Sequence, residues 1–254
     1  MIDDNPVVRS VARAIDGAIS RAVQGADATV WNPEAEFERF REAREKTLAA
    51  LAPLTAAQAS WSPGEGKWSI LQIGDHLLLS EEMFRDHSQR LLQAVAEGHK
   101  SIAISLSEVD VGFKMIPEQV APMLEFPMRM FNLFMPQVVR ETVIRHPIVA
   151  SRAARSIQPR EGLSLSRLRQ DLVISLEQTD AFLSMPMPQN LDELTINHPV
   201  MGNNTIPQLF RILIAHEQRH HEQIDRLQAH SGFPKGSREP MSAAEMSSLY
   251  GGGS

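Results

Sequence analysis

The sequence predicts an all-α fold, namely a four-helix bundle with a long crossover between helices 2 and 3 and an extra N-terminal helix. Apolar residues recur at helical spacing in five separate segments of the chain. Residues that favour a helix start precede four of these segments, and the alternating pattern of strands is nearly absent. Four main helices joined by one long connection indicate a bundle with a crossover rather than a simple up-and-down bundle.

The composition is that of a globular protein without thiol chemistry of its own. The 254 residues are 43% hydrophobic, which is enough to bury one large core. The chain has no cysteine, so any thiol that takes part in its chemistry must come from outside. The net charge of -6 argues against a nucleic-acid partner, because phosphate contacts need a concentrated basic face.

The hydropathy pattern gives no sign of a membrane partner. No stretch is long and apolar enough to span a bilayer, and the charged N-terminal segment does not resemble a signal peptide. We therefore expect a soluble cytoplasmic protein.

Three parts are expected in the domain organisation. Residues 1–30 form an N-terminal helical extension, residues 31–232 form the helical bundle, and residues 233–254 form a C-terminal tail. The extension is predicted from the helical spacing of Val8, Val11, Ile15, Ile19 and Ala22.

Capping residues mark the four main helices. Their side chains accept hydrogen bonds from backbone N–H groups that have no partner in the first turn. The expected caps are Asn32 followed by Pro33, Ser69 in a capping box with Gln72, Ser164, and either Asn204 or Thr205. The expected helix ends lie near Pro53, Gly98, Pro186 and Gly232.

The crossover, residues 112–160, differs in composition from the rest of the chain. Its prolines exclude a long helix, so we expect short helices and loops. A run rich in Met and Phe extends from Met123 to Met135. These side chains either fill an irregular part of the core or form a lid or the surface of a homodimer.

A pair of histidines is the first candidate for chemistry. His216 and His220 lie four residues apart on the last helix and therefore share one face. They occupy positions at which the apolar pattern calls for Leu or Ile, so two polar rings must find partners there. A divalent metal ion satisfies both rings, and hydrogen bonds to carboxylates or water are the alternative.

His76 occupies the equivalent position on the helix that begins at Ile70. It is either a third ligand or a hydrogen-bonded core histidine. His87 is about 16 Å further along that helix, and His221 points about 100° away from His220, so neither is expected in the same site. The remaining histidines are expected in loops or at helix ends, facing solvent: His99, His146, His198 and His230.

The segment from His216 to His220 also reads H-E-x-x-H. In zinc proteases the two histidines of this motif bind metal and the glutamate, here Glu217, acts as general base. A protease would need a third ligand, for which Glu239 or Glu245 is available, and a sheet edge to hold the substrate. The scarcity of strand signals argues against this alternative.

Several of these features together resemble the DinB-like (DinB/YfiT) superfamily of metal-dependent proteins. The resemblance covers roughly residues 33 to 230 and rests on an ordered set of motifs: Trp68-Ser69, Asp75-His76, His198-Pro199, Gly202, His216-Glu217-x-x-His220 and Gln223-Ile224. It implies a four-helix bundle with a long crossover. It also implies that His76, His216 and His220 bind one zinc, nickel, iron or manganese ion.

The resemblance further implies a small-molecule substrate. Some branches of the superfamily are S-transferases, or isomerases, that use a low-molecular-weight thiol such as mycothiol, bacillithiol or glutathione. In such a mechanism Glu217, which stands beside His216, would orient a ligand or accept a proton, unless it is a solvated surface residue. Four arginines would meet the carboxylates of the thiol or be ordinary solvated charges: Arg145, Arg152, Arg155 and Arg160.

Two other functions stay open at this point. One is a non-catalytic metal- or ligand-binding stress protein, in which the ion ties two helices together. The other is a metal-dependent hydrolase that uses a metal-bound water. Fold alone does not decide among them, because function belongs to the site.

Overall fold

The computed structural model describes residues 31–104, 157–198 and 202–236, and these residues form a mainly helical structure. In chain order the elements are α1 (Pro33–Leu51), α2 (Ala56–Ser60), α3 (Ile70–Ala96), β1 (Ser101–Ala103), α4 (Leu165–Leu183), a short 3-10 helix (Leu191–Glu193), β2 (Thr195–His198), β3 (Gly202–Asn204) and α5 (Ile206–Gln228). The expected N-terminal helix, almost all of the crossover and most of the C-terminal tail lie outside the described residues.

The helices begin at the predicted caps. The side chains of Asn32, Ser69 and Ser164 each accept a hydrogen bond from a backbone N–H in the first turn that follows. Thr205, rather than Asn204, caps α5, and it does so in a capping box with Gln208 that the sequence reasoning missed. Such caps satisfy N–H groups that have no partner within the helix.

Helix α3 ends two residues before a glycine in a left-handed conformation. Gly98 has a φ of 91°, which other residues rarely adopt. The N–H of His99 then donates to the carbonyl of Ala94 at 2.9 Å, which satisfies part of the last turn. The chain can therefore turn directly from α3 into β1.

A small three-stranded sheet corrects the expectation that strands are nearly absent. Strand β2 is central, with β1 parallel to it and β3 antiparallel to it. In the register Ile102 lies opposite Ile196, and Ile196 lies opposite Asn204. Strands of three or four residues are too short to show a periodic pattern, which explains why sequence analysis missed them.

The four long helices pack against one another in pairs. Both α1 and α3 lie against α4, and both also lie against α5. Gly74 on α3 permits one close approach, since a Cβ atom at that position would lie 2.7 Å from Cδ2 of Leu168 on α4. Among the described residues no helix is long and apolar enough to cross a membrane.

The apolar core is divided into two clusters. One contains Phe40, Phe84, Phe182 and Phe210 together with aliphatic residues near the small sheet. The other is made mainly of leucines and isoleucines: Leu48, Leu51, Leu54, Ile70, Ile73, Leu77, Leu78, Leu165, Leu168, Leu172, Ile224 and Leu227. On each long helix, polar or charged residues lie in sequence between the members of the two clusters.

These intervening residues form a buried charged layer centred on Arg44. The guanidinium of Arg44 donates to both carboxylate oxygens of Glu217, at 2.9 and 3.0 Å. It also lies 2.9 Å from Glu81, and all three side chains are fully buried. Burial lowers the pKa of Arg44, but the charges of Glu217 and Glu81 outweigh burial and raise it above its ordinary value.

Arg85 extends the layer to α4. It lies 3.2 Å from Glu81 and donates to the hydroxyl groups of Ser175 and Thr179. The hydroxyl of Thr179 donates in turn to Glu81. Two positive and two negative side chains thus connect all four long helices, which satisfies the rule that buried charges be paired.

The substitution Glu217→Gln tests the layer. It leaves Arg44 buried without its bidentate counter-charge, and we expect the free energy of unfolding to fall by about 3 kcal/mol or more. Urea denaturation measures the change. The control is Glu222→Gln on the same helix, because Glu222 and Arg226 form an exposed pair 3.9 Å apart. Its effect should stay within about 0.5 kcal/mol. Equal effects of the two substitutions would contradict the buried pairing of Arg44 with Glu217.

Candidate metal centre

The candidate site lies where α3 and α5 pack together. His76 lies in the second turn of α3, and His216 and His220 lie one turn apart on α5. The Ser69 cap fixes the start of α3, and the Thr205 cap, directly after β3, fixes the start of α5. The ring of His76 therefore meets the rings of His216 and His220, although His76 and His216 are 140 residues apart in sequence.

The ring nitrogens of the three histidines converge. Nε2 of His216 lies 3.1 Å from Nε2 of His76 and 3.1 Å from Nε2 of His220. All three side chains offer a nitrogen within 4.8 Å of the others. Imidazole nitrogens bind zinc at about 2.0–2.1 Å, so nitrogens this close together can reach one ion.

The other ring nitrogens of two of these histidines are already engaged. Nδ1 of His76 donates to the carbonyl of Ile157 at 2.8 Å, and Nδ1 of His220 donates to Oε1 of Gln223 at 2.9 Å. A neutral imidazole carries one proton, so the Nε2 atoms of His76 and His220 present lone pairs to His216. One proton on Nε2 of His216 can satisfy only one of these two contacts. A shared cation satisfies all three nitrogens, and the donor set therefore fits a metal ion.

Burial keeps the three rings neutral. It lowers the pKa of His76 and that of His216, the latter well below its ordinary value, and it lowers the pKa of His220 to about 3. The charge of Arg219 and the proximity of the rings to one another act in the same direction. Neutral imidazole is the form that binds metal.

Trp68 packs against the cluster. Its ring centroid is 4.9 Å from that of His76 and 6.4 Å from that of His220, with the second pair stacked. Trp68 belongs to the motifs that carry the family resemblance, but its contact with the histidines could not be predicted from them. The one feature of the sequence that pointed to this contact is that Ser69, the neighbour of Trp68, caps the helix that carries His76.

Asp75 and Arg160 form an ion pair beside His76. Oδ2 of Asp75 accepts from the backbone N–H of Arg160 at 2.6 Å, and Oδ1 accepts from its guanidinium at 2.6 and 3.0 Å. Arg160 was expected to meet a thiol carboxylate or to be solvated, and the structure shows it half exposed and paired with this buried aspartate. The other three arginines considered with it lie outside the described residues: Arg145, Arg152 and Arg155.

Glu217 is oriented away from the histidine cluster. Both of its carboxylate oxygens accept from Arg44, and its side chain is fully buried. The alternative that it is a solvated surface residue is therefore wrong. Its catalytic role stays a prediction, while the ion pair gives it a structural role that the sequence did not reveal.

His87 and His221, which the sequence predicted to lie outside the site, are not part of the three-histidine group. His87 is buried elsewhere on α3, and His221 lies 3.5 Å from Asp225 on α5. His99 and His230 are exposed, as expected. The structure does not describe His146, the side chain of His198, or the glutamates proposed as a third protease ligand, Glu239 and Glu245.

Fold and site together define a mainly helical protein with a three-histidine group that could bind a metal ion. A model of the DinB superfamily matches residues 39–224, which include all three histidines. The match covers more than half of the chain, so the chain belongs to the DinB superfamily, and the resemblance found in the sequence is confirmed. Neither the comparison with curated proteins nor the comparison with solved structures found a match.

Substitution of single histidines tests the cluster as a metal site. We expect His76→Ala, His216→Ala and His220→Ala each to lose most of the bound metal, because metal–ligand distances tolerate only a few tenths of an ångström. His87→Ala and His221→Ala should keep the wild-type metal content. Elemental analysis of the purified proteins measures this content, and full retention by His76→Ala would exclude the three-histidine site.

The depressed pKa values predict a pH dependence for the metal-free protein. In the unfolded chain a histidine takes up a proton near pH 6.5, as is usual for this side chain. In the folded protein burial lowers the pKa of His220 to about 3. The unfolded state therefore binds more protons between these values, and the stability contribution of His220 is complete above about pH 6.5 and lost as the pH falls towards 3.

Urea denaturation in the presence of a chelator measures this effect. The unfolding free energy of wild type should fall as the pH is lowered from about 7.5 to about 5.5. In His220→Gln the fall should be smaller by about 1 kcal/mol. His221→Gln is the control, since His221 is not in the cluster. An unchanged pH dependence in His220→Gln would show that His220 titrates normally in the folded protein.

Proposed function

We propose that the chain is a metal-dependent enzyme that activates a low-molecular-weight thiol for transfer to an electrophilic small molecule. One observation carries the proposal, namely the convergence of three neutral imidazole Nε2 atoms from α3 and α5. Within the described ranges no carboxylate joins this group. Three protein ligands with open positions are typical of catalytic rather than structural metal sites.

The residues that would hold one divalent ion are His76, His216 and His220. Imidazole suits zinc, nickel and iron, so the ligand set alone does not select the metal. When bound, such an ion lowers the pKa of a coordinated thiol and provides a thiolate at neutral pH. The chain has no cysteine, so the thiol would be a separate molecule.

Other residues around the cluster suit a thiolate. Trp68 lies against two of the ligand rings and provides an apolar wall beside them. Arg219, on α5 between the two ligands of that helix, is close enough for its charge to lower the pKa of all three histidines. The same positive charge favours a negatively charged sulfur over a neutral one.

Proton transfer by Glu217 is not part of this proposal. Its carboxylate is fully buried and binds the guanidinium of Arg44 through both oxygens. A base must lie within hydrogen-bond reach of the substrate proton, and this carboxylate is instead buried and directed towards Arg44 on α1. For the same reason the structure gives no support to hydrolysis by the H-E-x-x-H mechanism, in which Glu217 acts as general base at the metal.

The architecture we propose is a four-helix bundle with a crossover. Its support is the pairwise packing of α1, α3, α4 and α5, together with the buried charged layer that joins them. The crossover would supply part of the substrate pocket, since its last described residues, Ile157 and Arg160, contact α3 beside the cluster. A homodimer, the absence of nucleic-acid and membrane partners, and a cytoplasmic location stay predictions.

A non-catalytic metal-binding protein is the second candidate. It is favoured by the fact that the cluster joins two helices whose ligands, His76 and His216, are 140 residues apart. A bound ion would stabilise the fold by linking α3 to α5. This candidate predicts a metal-dependent rise in melting temperature without any turnover.

A thiol-transfer assay distinguishes the two candidates. The protein, loaded in turn with zinc, nickel, iron(II) or manganese, is incubated with mycothiol, bacillithiol or glutathione and a panel of epoxides and activated aryl halides. Mass spectrometry then detects the thioether. We expect metal-dependent adduct formation well above the rate without protein, loss of at least about tenfold in His216→Ala, and little change in His221→Ala.

If no combination of metal and thiol gives an adduct above the rate without protein, the transferase proposal is wrong. A metal-dependent rise in melting temperature under the same conditions would then identify the chain as a metal-binding protein without this activity.

A further inference from the structure

Two consecutive residues of α3 hold the segment Ile157–Arg160 at two points. Nδ1 of His76 donates to the carbonyl of Ile157 at 2.8 Å. The carboxylate of Asp75 accepts from the backbone N–H and the guanidinium of Arg160. The acceptor for His76 and the donors to Asp75 are thus three residues apart in one short stretch of chain.

We propose that Asp75 and Arg160 are positioning residues that set the tautomer and orientation of His76 through the carbonyl of Ile157. The inference rests on the proposed role of His76 as a metal ligand. The ion pair fixes the segment, the segment presents one carbonyl oxygen to Nδ1, and that carbonyl keeps the ring proton on Nδ1. Nε2 then carries a lone pair that is directed at the cluster.

Burial makes the partnership of Asp75 and Arg160 obligatory. The side chain of Asp75 is 1% exposed, whereas that of Arg160 is 46% exposed. A buried carboxylate without a partner is strongly unfavourable, so Asp75 recruits the donors of Arg160 and holds the segment in place. The hydrogen bond to Asp75 in turn raises the pKa of Arg160 above its ordinary value, so the guanidinium stays charged.

The two ligands with engaged Nδ1 atoms differ in where their partner comes from. Nδ1 of His220 donates to Gln223, which lies three residues further along the same helix. The partner of His76 lies 81 residues away and depends on tertiary structure. Loss of the Asp75–Arg160 pair should therefore affect His76 and leave His220 unchanged.

The consequence for metal binding follows from the single proton of a neutral imidazole. If the Ile157 carbonyl moves away, the proton of His76 is free to shift to Nε2, which blocks the lone pair that faces His216. A metal ion must then displace that proton or turn the ring before it binds. Loss of such a partner of a ligand typically reduces metal affinity about 10- to 100-fold.

The first experiment measures the tautomer directly in the metal-free protein. Heteronuclear NMR of the imidazole nitrogens, with His76→Ala used for assignment, should find the wild-type proton of His76 on Nδ1. In Arg160→Gln, and more strongly in Asp75→Asn, a substantial share should shift to Nε2. The tautomer of His220 should not change in either variant.

The second experiment measures affinity for zinc and nickel by competition with a chromophoric chelator. We expect about a 10-fold loss in Arg160→Gln, a larger loss in Asp75→Asn, and partial recovery in Arg160→Lys, which keeps the charge but not the bidentate geometry. The matched control is Arg167→Gln, which removes the same charge from an exposed arginine that pairs with Asp171 on α4. It should bind metal as wild type does.

Circular dichroism and melting temperature establish that the variants are folded, and Arg160→Gln carries the test if Asp75→Asn is not. If His76 keeps its proton on Nδ1 in Arg160→Gln, or if Arg160→Gln and Arg167→Gln bind metal equally well, the positioning role is wrong. The absence of thiol transfer in wild type would leave both readouts intact, so the two proposals can fail separately.

Discussion

The buried ion pair between Arg44 and Glu217 sets the orientation of the helix that carries two of the three candidate ligands. Glu217 follows His216 directly, and adjacent residues of a helix point about 100° apart. Because Glu217 is held towards Arg44 on α1, His216 and His220 are turned towards α3, which also packs on α5. Glu81, five residues after His76, meets the same arginine and constrains the rotation of α3. A buried pair of this kind contributes little net stability compared with apolar residues, but it strongly disfavours arrangements that leave one charge unpaired. The main effect of the layer is therefore to select one packing of the helices, and its contribution to the free energy of unfolding is secondary.

Two histidines of the cluster obtain their hydrogen-bond partners at different sequence separations. His220 obtains the partner of its Nδ1 from Gln223 on its own helix, whereas His76 obtains its partner from Ile157, at the end of the crossover. The partner of His220 is thus supplied by α5 itself, whereas that of His76 depends on the placement of Ile157. Trp68, which lies against the rings of both His76 and His220, connects the two halves.

Local signals explain what the sequence could reveal. The caps at Asn32, Ser69 and Ser164 act within one helical turn, and the spacing of His216 and His220 follows from helix geometry, so all were predictable. The partner of Glu217 could not be found in this way, because Arg44 is 173 residues away and looks like any other helical arginine. The same holds for Arg160 and Asp75, which are 85 residues apart. The small sheet escaped detection because its strands are shorter than the pattern that reveals strands.

The charged layer has a further consequence for how a metal ion would be acquired and replaced. Its charges are balanced among Arg44, Glu81, Arg85 and Glu217, and none of the three clustered histidines belongs to it. Helix orientation is therefore set by groups that are not themselves candidate metal ligands. A zinc finger folds as it binds its metal, so that exchange of the ion requires unfolding. In this protein the helices are held by ion pairs separate from the three histidines, so a metal ion bound there would be exchanged without unfolding of the bundle. The identity of the resident metal would then follow supply in the cell as well as affinity.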